Sequence, residues 1–323
     1  MPMTPRRRRV LQVVAYGAVL VLLVLFVRQV PWRAVLLAAR TADPWRLLLA
    51  AVLNLVSLAA KGVRWWVFLR PVGVRSLALV LRATFAGASL NNLVVAQGGE
   101  GARVLLVARG AGVSSAPVLA ALAVERVFDA LSYLVLLVAA AWLLPLPDVL
   151  GRWRGAASLV LALAAVGIAV VLGRARRSGL RERTPGGDAH PRTPSRLAGY
   201  AAQFGAALRV TAAPASFAAA AALSACAWLL QIATYHLVAR AAHSPLPVTG
   251  SIAALLAVGI SFLVRATPGN VGVFQVVYAL TVASFGIPRA DAIAVAVLIQ
   301  VVQVAPVLLA GLLASASGTR RAR

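Results

Sequence analysis

The stretch Gln97-Gly98-Gly99-Glu100-Gly101-Ala102-Arg103 interrupts a long apolar part of the sequence. A second break, Thr267-Pro268-Gly269-Asn270-Val271-Gly272, lies in the other half of the chain, between Arg265 and Gln275. Broken helix at membrane depth persists only where protein buries the backbone or where it lines a wet cavity. Apolar segments that Gly or Pro interrupts at corresponding places in two halves point to a transporter's binding site. The two breaks therefore predict a membrane protein with a site for a polar or anionic group.

The composition also indicates an integral membrane protein. Of the 323 residues, 61% are hydrophobic and 12% are charged, whereas a soluble domain has about 25% charged residues. The formal net charge is +24, but the arginines fall mostly between apolar runs rather than in clusters, which argues against nucleic-acid binding. The single cysteine, Cys226, and the three histidines show no metal-ligand spacing, so the sequence predicts no metal site and no other cofactor.

The apolar segments predict an all-α, polytopic membrane protein with about eight transmembrane helices of roughly 20 residues each. These segments are residues 10–27, 47–69, 77–95, 116–144, 156–173, 216–238, 250–264, 271–286 and 290–314. We expect a single membrane domain over residues 1–323, with an N-terminal half at 10–173, a basic cytoplasmic linker at 174–196 and a C-terminal half at 197–315. An interfacial helix is expected around residues 31–41, where Trp32 and several arginines suit the headgroup region.

Basic residues predict how the chain is oriented, because they favour the cytoplasmic side of a membrane. The strongest groups are Arg6–Arg9, the run Arg174–Arg209, and the C-terminal arginines. If segment 77–95 crossed the membrane completely, the run Arg174–Arg209 would lie outside. A re-entrant segment at the first break removes this conflict and places both termini in the cytoplasm. We therefore predict re-entrant segments at the two Gly-rich breaks.

Ionisable side chains within the predicted spans are costly, and they mark either a pathway or a buried ion pair. They and the polar residues near them are Lys61 and Arg64 in the second segment, Arg82 and Asn92 in the third, Glu125, Arg126 and Asp129 in the fourth, and Arg265 beside the second break. Because Glu125 and Asp129 are four residues apart on one helix, their carboxylates repel each other. At least one basic partner is expected for them.

One interpretation of these charges is structural. The residues of the fourth segment would form ion pairs with Lys61, Arg64 or Arg82. Alternatively, Lys61 and Arg64 would snorkel to the cytoplasmic surface near the end of their span. The glycines could allow close helix packing, although consecutive glycines with Glu100 destabilise a helix rather than pack one.

The other interpretation, which is compatible with the first, is functional. The same network would order arginines that bind a phosphate group, to which arginine makes bidentate contacts. Gly98, Gly99 and Gly101 would present backbone N–H groups at a helix start, which is a ready anion site, with Glu100 and Arg103 beside them. A paired-carboxylate hydrolase is not favoured, because no second catalytic constellation accompanies the carboxylates.

Several runs of the sequence resemble one protein family. They are Ser89-Leu90-Asn91-Asn92 with Gly99-Glu100-Gly101-Ala102-Arg103, Arg109-Gly110-Ala111-Gly112-Val113, Ala123-Val124-Glu125-Arg126-Val127-Phe128-Asp129 and Thr267-Pro268-Gly269-Asn270-Val271-Gly272-Val273-Phe274-Gln275. These runs resemble the flippase-like transmembrane region of lysylphosphatidylglycerol synthases over about residues 10–315. The chain departs from the family pattern at Val95-Ala96-Gln97, where a Pro is usual, and at Gln275, where a Glu is frequent.

The resemblance implies a membrane module that moves a lipid across the bilayer. In the fused synthases that lipid is aminoacylated phosphatidylglycerol, and stand-alone members act on other or unknown lipids. The synthases also carry a soluble catalytic domain that takes an aminoacyl-tRNA. Because no such domain is found in this sequence, we expect a transporter and not an enzyme.

The sequence thus predicts a flippase of the cytoplasmic membrane for an anionic phospholipid or a polyprenyl-phosphate-type lipid, with membrane lipids as its partners. One wall of the headgroup cavity would hold Glu100, Arg103 and the first glycine amides, and the other would hold Asn270 and its glycines. The full predicted set is Lys61, Arg64, Arg82, Asn92, Gly98, Gly99, Glu100, Gly101, Arg103, Glu125, Arg126, Asp129, Arg265, Pro268, Gly269, Asn270, Gly272 and Gln275. The alternatives are a membrane enzyme acting on lipid-linked phosphate and a scaffold subunit without transport.

Overall fold

The computed structural model describes residues 27–28, 30–93, 98–144, 154–181, 214–262, 267 and 270–319. This part of the chain contains ten α-helices and no strand, so the predicted all-α class is confirmed. The helices are α1 Trp32–Thr41, α2 Pro44–Leu69, α3 Leu77–Leu93, α4 Gly98–Ala111, α5 Ser115–Leu143, α6 Arg154–Arg181, α7 Pro214–Ala241, α8 Val248–Ser261, α9 Val273–Ala283 and α10 Arg289–Thr319.

Four helices in the described residues are long and apolar enough to cross a membrane. They span Pro44–Val72 (which includes a 3₁₀ turn after α2), Ser115–Leu143, Ala215–Ala241 and Arg289–Ala314. At 1.5 Å per residue such helices are about 40 Å long, which exceeds the roughly 30 Å of bilayer hydrocarbon. They coincide with the predicted segments 47–69, 116–144, 216–238 and 290–314.

Other predicted segments correspond to shorter or longer helices. Helix α6 covers the predicted segment 156–173 and continues to Arg181, into residues that were predicted as linker. Helix α1 forms where the interfacial helix was expected, with Val35 buried and Leu36 and Leu37 exposed. The predicted first segment, apart from its last residue, and the linker beyond Arg181 lie outside the described residues.

The described residues form two compact units. Unit 1 comprises those within Met1–Val52, Leu90–Gln97 and Ile232–Pro306. Unit 2 comprises those within Leu53–Ser89, Gly98–Gln231 and Val307–Arg323. Each unit therefore combines sequence from before and after the basic linker.

Unit 2 contains a helical hairpin made of α3 and α4. A Cβ built on Gly87 of α3 would lie 2.8 Å from the Gly99 carbonyl oxygen, and one built on Gly110 of α4 would lie 2.7 Å from Leu79 Cδ1. The first contact joins the end of α3 to the start of α4, and the second joins the start of α3 to the end of α4. The two helices are therefore antiparallel. With 17 and 14 residues, they are about 25 and 21 Å long, shorter than the hydrocarbon thickness. These lengths are compatible with the predicted re-entrant segment. That the segment enters and leaves the membrane on the same side stays a prediction.

The first glycine-rich stretch forms the first turn of α4 rather than an interruption within a helix. Gly98 and Gly101 have open space around them, with no atom within 4 Å of an added Cβ. The first four N–H groups of a helix have no intrahelical partner in any case. Consecutive glycines therefore cost less here than they would in a helix interior.

Unit 1 contains a second antiparallel hairpin, made of α8 and α9. The rings of Phe262 and Phe274 lie 6.4 Å apart at the end where the two helices are joined. At the other end, a Cβ on Gly250 would lie 3.4 Å from the Phe285 ring. The helices have 14 and 11 residues, about 21 and 17 Å, so neither has the length of a spanning helix.

In unit 2, α10 packs against α3 at Gly311. A Cβ there would lie 1.9 Å from Ser89 Oγ, which is itself 2.9 and 2.7 Å from the carbonyl oxygens of Phe85 and Val307. We expect Gly311→Ala to lower the free energy of unfolding by about 1 kcal/mol, because overpacking costs roughly 1–3 kcal/mol and the helix-propensity gain of about 1 kcal/mol offsets only part of it.

Thermal unfolding of the purified protein in detergent measures this effect. Gly167→Ala in α6 is the matched control, since no atom lies within 4 Å of its added Cβ. An equal melting temperature for both variants would mean that α10 does not pack against Ser89 as described.

Candidate functional site

A stripe of polar side chains runs along α2 where it packs against α7 in unit 2. At one end, Gln231 Nε2 donates to Asn54 Oδ1 at 3.0 Å and to Ser57 Oγ at 3.2 Å. Ser57 Oγ in turn donates to the Ala227 carbonyl oxygen at 2.9 Å. Asn54 and Ser57 are both buried. Uncharged groups thus satisfy one another at this end, as buried polar groups must.

The stripe continues into a network of ion pairs between α2, α4 and α5. Arg103 of α4 faces Glu125 of α5 with both terminal nitrogens, at 3.1 Å from Oε2 and 3.2 Å from Oε1. Arg64 Nη2 of α2 lies 3.8 Å from Glu125 Oε1. The three residues are 6%, 2% and 1% exposed. One fully buried carboxylate therefore lies between two buried guanidinium groups.

Aromatic and hydroxyl groups hold the two buried arginines in place. The Arg103 guanidinium carbon lies 3.8 Å from the ring centroid of the fully buried Trp65, a stacked cation–π arrangement. Arg64 Nη1 donates to Ser224 Oγ at 2.6 Å, and its guanidinium carbon lies 5.7 Å from the Phe128 ring centroid. Both side chains are thus fixed on several sides.

The rest of the network forms a more exposed edge. Asp129 pairs directly with Arg64 and lies 3.8 Å from Arg126. Arg126 Nη2 pairs with Glu100 Oε1 at 2.8 Å, which joins the start of α4 to α5. The side chains of Arg126, Asp129 and Glu100 are 46%, 26% and 19% exposed.

Lys61 is the remaining cation of this region. Its Nζ lies 5.6 Å from the ring centroid of Trp228 on α7. Among the described residues, no carboxylate oxygen lies within 4 Å of Nζ. We call Lys61, Arg64, Glu100, Arg103, Glu125, Arg126 and Asp129 the charge cluster. It holds four cations and three carboxylates.

The other predicted site residues of unit 2 lie outside these ion pairs. Arg82 Nε donates to the Ala314 carbonyl oxygen at 3.3 Å. Arg64 and Arg82 were both predicted as possible partners of the α5 carboxylates. In the structure Arg64 pairs with these carboxylates and Arg82 does not. Arg64 is buried and paired, so snorkelling does not describe it. The pairing of Arg103 with Glu125 was not anticipated.

The described part of the second break lies in unit 1. Asn270 has a φ of +58° and is 2% exposed. Its N–H donates to the Thr267 carbonyl oxygen at 3.0 Å, and its Nδ2 donates to Ser261 Oγ at 2.9 Å. The side chain therefore ties the connecting segment back to the last residue of α8.

Gly272 and Gln275 complete this uncharged network. Gly272 has a φ of +93°, which favours glycine, and its N–H donates to Gln275 Oε1 at 2.7 Å. Gln275 Nε2 donates to Gln300 Oε1. An amide can both accept and donate in this way, whereas a carboxylate cannot donate. Arg265, Pro268 and Gly269 lie outside the described residues, and Asn92 is a half-buried residue of unit 1 in the last turn of α3.

The family described as Lysylphosphatidylglycerol synthase TM region matches residues 10–311. The chain belongs to this family. The match confirms the resemblance seen in the sequence and covers the whole charge cluster. No curated protein matches the chain.

In this family member, several residues of the site region were missed by sequence reasoning. Gln231 and Gln300 interrupt apolar runs, and that signal could have identified them. Trp65 and Ser224 carried no such signal, because a tryptophan or serine in a membrane helix is ordinary. Trp65 is fully buried beside Arg103.

The arrangement indicates what kind of group the charge cluster can hold. Guanidinium and ammonium groups surrounded by apolar helices attract an anion strongly, since a low dielectric strengthens charge interactions. Within the described residues, no group of three His, Cys, Asp or Glu side chains is arranged to hold a metal ion.

Proposed function

We propose that this family member is a transporter that moves the anionic headgroup of a lipid, such as a phospholipid or a polyprenyl phosphate, across the cell membrane. The observation that carries the proposal is the charge cluster, in which cations outnumber carboxylates on helices of a membrane protein. The apolar tails would remain in the bilayer while the headgroup follows polar groups. That route avoids the high cost of placing an unpaired charge in hydrocarbon.

The two hairpins support a route of this kind. Each is built from helices shorter than the hydrocarbon is thick, so each could enter the membrane and return on the same side. For the first hairpin, the distribution of basic residues also favours this arrangement. With these re-entrant segments, both termini lie in the cytoplasm. Non-helical backbone at membrane depth is tolerated where it lines a water-filled cavity, and a headgroup would pass through such a cavity.

Arg126 is the residue best placed to test the proposal. Its side chain is 46% exposed, and its partner Glu100 is also partly exposed, at 19%. We expect Arg126→Gln to slow lipid transfer by about tenfold, since a hydrogen bond to a charged group contributes roughly 1.5–3 kcal/mol. The measurement is protein-dependent transfer of acyl-labelled phosphatidylglycerol in vesicles, followed by quenching of the label in the outer leaflet.

Arg109→Gln is the matched control for this experiment. Arg109 is an exposed arginine in the last turn of α4, outside the charge cluster. We expect it to transfer lipid at the wild-type rate. Equal transfer by the wild type, Arg126→Gln and protein-free vesicles would refute transport, and conversion of the lipid into a new product would favour the enzyme alternative.

A further inference from the structure

The buried arginines of the charge cluster already have anionic partners. Arg103 uses both terminal nitrogens on Glu125, and Arg64 pairs with Asp129 while lying 3.8 Å from Glu125. An incoming phosphate would have to displace a buried carboxylate to reach either guanidinium. That displacement leaves a buried carboxylate without its partner, which is strongly unfavourable.

Lys61 differs from these arginines in three respects. It is half-buried, whereas Arg64 and Arg103 are buried. No carboxylate oxygen of the described residues lies within 4 Å of it. It lies three residues before Arg64 on α2 and therefore on the same helix face as the ion pairs, with the Trp228 ring on one side at 5.6 Å.

We infer that Lys61 is the residue that binds the headgroup phosphate, and that the charge cluster selects a phosphate with a single negative charge. This inference rests on the proposed function, in that it takes the ligand to be an anionic lipid, and of the two lipid classes named there it selects the phospholipid over the polyprenyl phosphate, which is a phosphomonoester. Arg103, Arg64 and Glu125 are then positioning residues. They hold α2, α4 and α5 together on the face of α2 that also carries Lys61.

The selectivity for a phosphate with one negative charge follows from the net charge of the cluster. Three carboxylates neutralise three of the four cations and leave one positive charge. A phosphodiester has one negative charge and makes the occupied site neutral. A phosphomonoester at the lipid terminus carries about −1.5 to −2 at neutral pH, so it leaves an excess negative charge that a low-dielectric surrounding penalises.

Equilibrium binding tests the inference separately from transport. The probes are acyl-labelled phosphatidylglycerol, a phosphodiester, and acyl-labelled phosphatidic acid, a phosphomonoester. Each is titrated with the purified full chain in detergent at pH 8, and fluorescence anisotropy is measured. We expect the wild type to bind phosphatidylglycerol about tenfold more tightly than phosphatidic acid, and Lys61→Gln to bind phosphatidylglycerol about tenfold more weakly than the wild type.

Two further variants separate a binding role from a structural one. Lys61→Arg keeps the charge and should restore most of the affinity. Arg70→Gln removes an exposed cation at the end of the same helix, where its guanidinium carbon lies 5.0 Å from the Trp66 ring centroid, and should bind as the wild type does. The melting temperature of each variant shows whether a change in affinity reflects loss of fold.

The outcomes distinguish this inference from the proposed function. Equal affinity of folded Lys61→Gln and wild type for phosphatidylglycerol, or tighter wild-type binding of phosphatidic acid, overturns the inference even if the vesicles show transfer. The converse outcome is selective binding that depends on Lys61 together with no transfer in the vesicles. That outcome supports the inference and refutes the proposed transport function.

Discussion

Replacing Glu125 with alanine is expected to lower the free energy of unfolding by about 3–5 kcal/mol, the cost of breaking a buried ion pair by removing one partner. Glu125 lies between the guanidinium groups of Arg64 and Arg103, and all three residues are at least nine-tenths buried. Its removal leaves Arg103 without an anionic partner in the described residues. Thermal or denaturant unfolding of the purified protein in detergent measures the loss.

Glu100→Ala is the matched control, because Glu100 is a carboxylate of the same cluster that pairs with the half-exposed Arg126. This pair is less buried than the pair of Arg103 with Glu125, so Glu100→Ala should lose clearly less stability than Glu125→Ala. The double variant Arg103→Met with Glu125→Leu removes both charges together and should recover much of the stability lost in Glu125→Ala. Equal destabilisation by Glu125→Ala and Glu100→Ala would show that burial does not set the strength of these pairs.

Replacing Asn270 with valine is expected to destabilise the protein by about 2–4 kcal/mol. Asn270 has a φ of +58°, a conformation that asparagine tolerates and that a β-branched residue adopts only under strain of about 1–3 kcal/mol. The substitution also removes the hydrogen bond that Asn270 donates to Ser261, while the Ser261 hydroxyl keeps its bond to the Val258 carbonyl oxygen, so this part of the loss is roughly 0.5–1.5 kcal/mol. The melting temperature in detergent again provides the measurement.

Asn270→Gly separates the two contributions. Glycine adopts the positive φ without strain but cannot make the hydrogen bond to Ser261. We expect this variant to lose only the hydrogen-bond part of the stability, less than half of the loss in Asn270→Val. If the two variants melt at the same temperature, the backbone conformation at Asn270 contributes nothing to stability.

The helices of this protein could be predicted from sequence because a membrane imposes a simple length requirement. Apolar runs such as 116–144 and 290–314 coincide with α5 and α10 within a few residues. The paired short helices were also indicated, since Gly and Pro residues end or begin helices for local reasons. The division into two units could not be predicted, because it follows from tertiary packing between segments that are distant in sequence.

The sequence was sufficient to predict which residues belong to the charge cluster. It was not sufficient to predict which of them form ion pairs with each other. The spacing of Glu125 and Asp129 shows that both carboxylates share a helix face, and it says nothing about which cation of another helix reaches them. Arg103 was assigned to an anion site with the glycine amides, yet α4 turns its side chain towards Glu125 and Trp65. Such a pairing depends on how two helices are rotated against each other, which a single sequence does not reveal.

The order of the charged residues along the chain has a consequence for how the protein enters the membrane during synthesis. Helix α5 carries Glu125, Arg126 and Asp129 near its middle, and each such residue costs about 2.5–3.5 kcal/mol when a helix inserts alone. Its partners Arg64 and Arg103 belong to helices that leave the ribosome earlier. Because chains fold from the N-terminus as they are made, α5 arrives where its counter-charges are already present. Moving α5 ahead of α2 and α4 in a permuted gene would oblige it to insert without them.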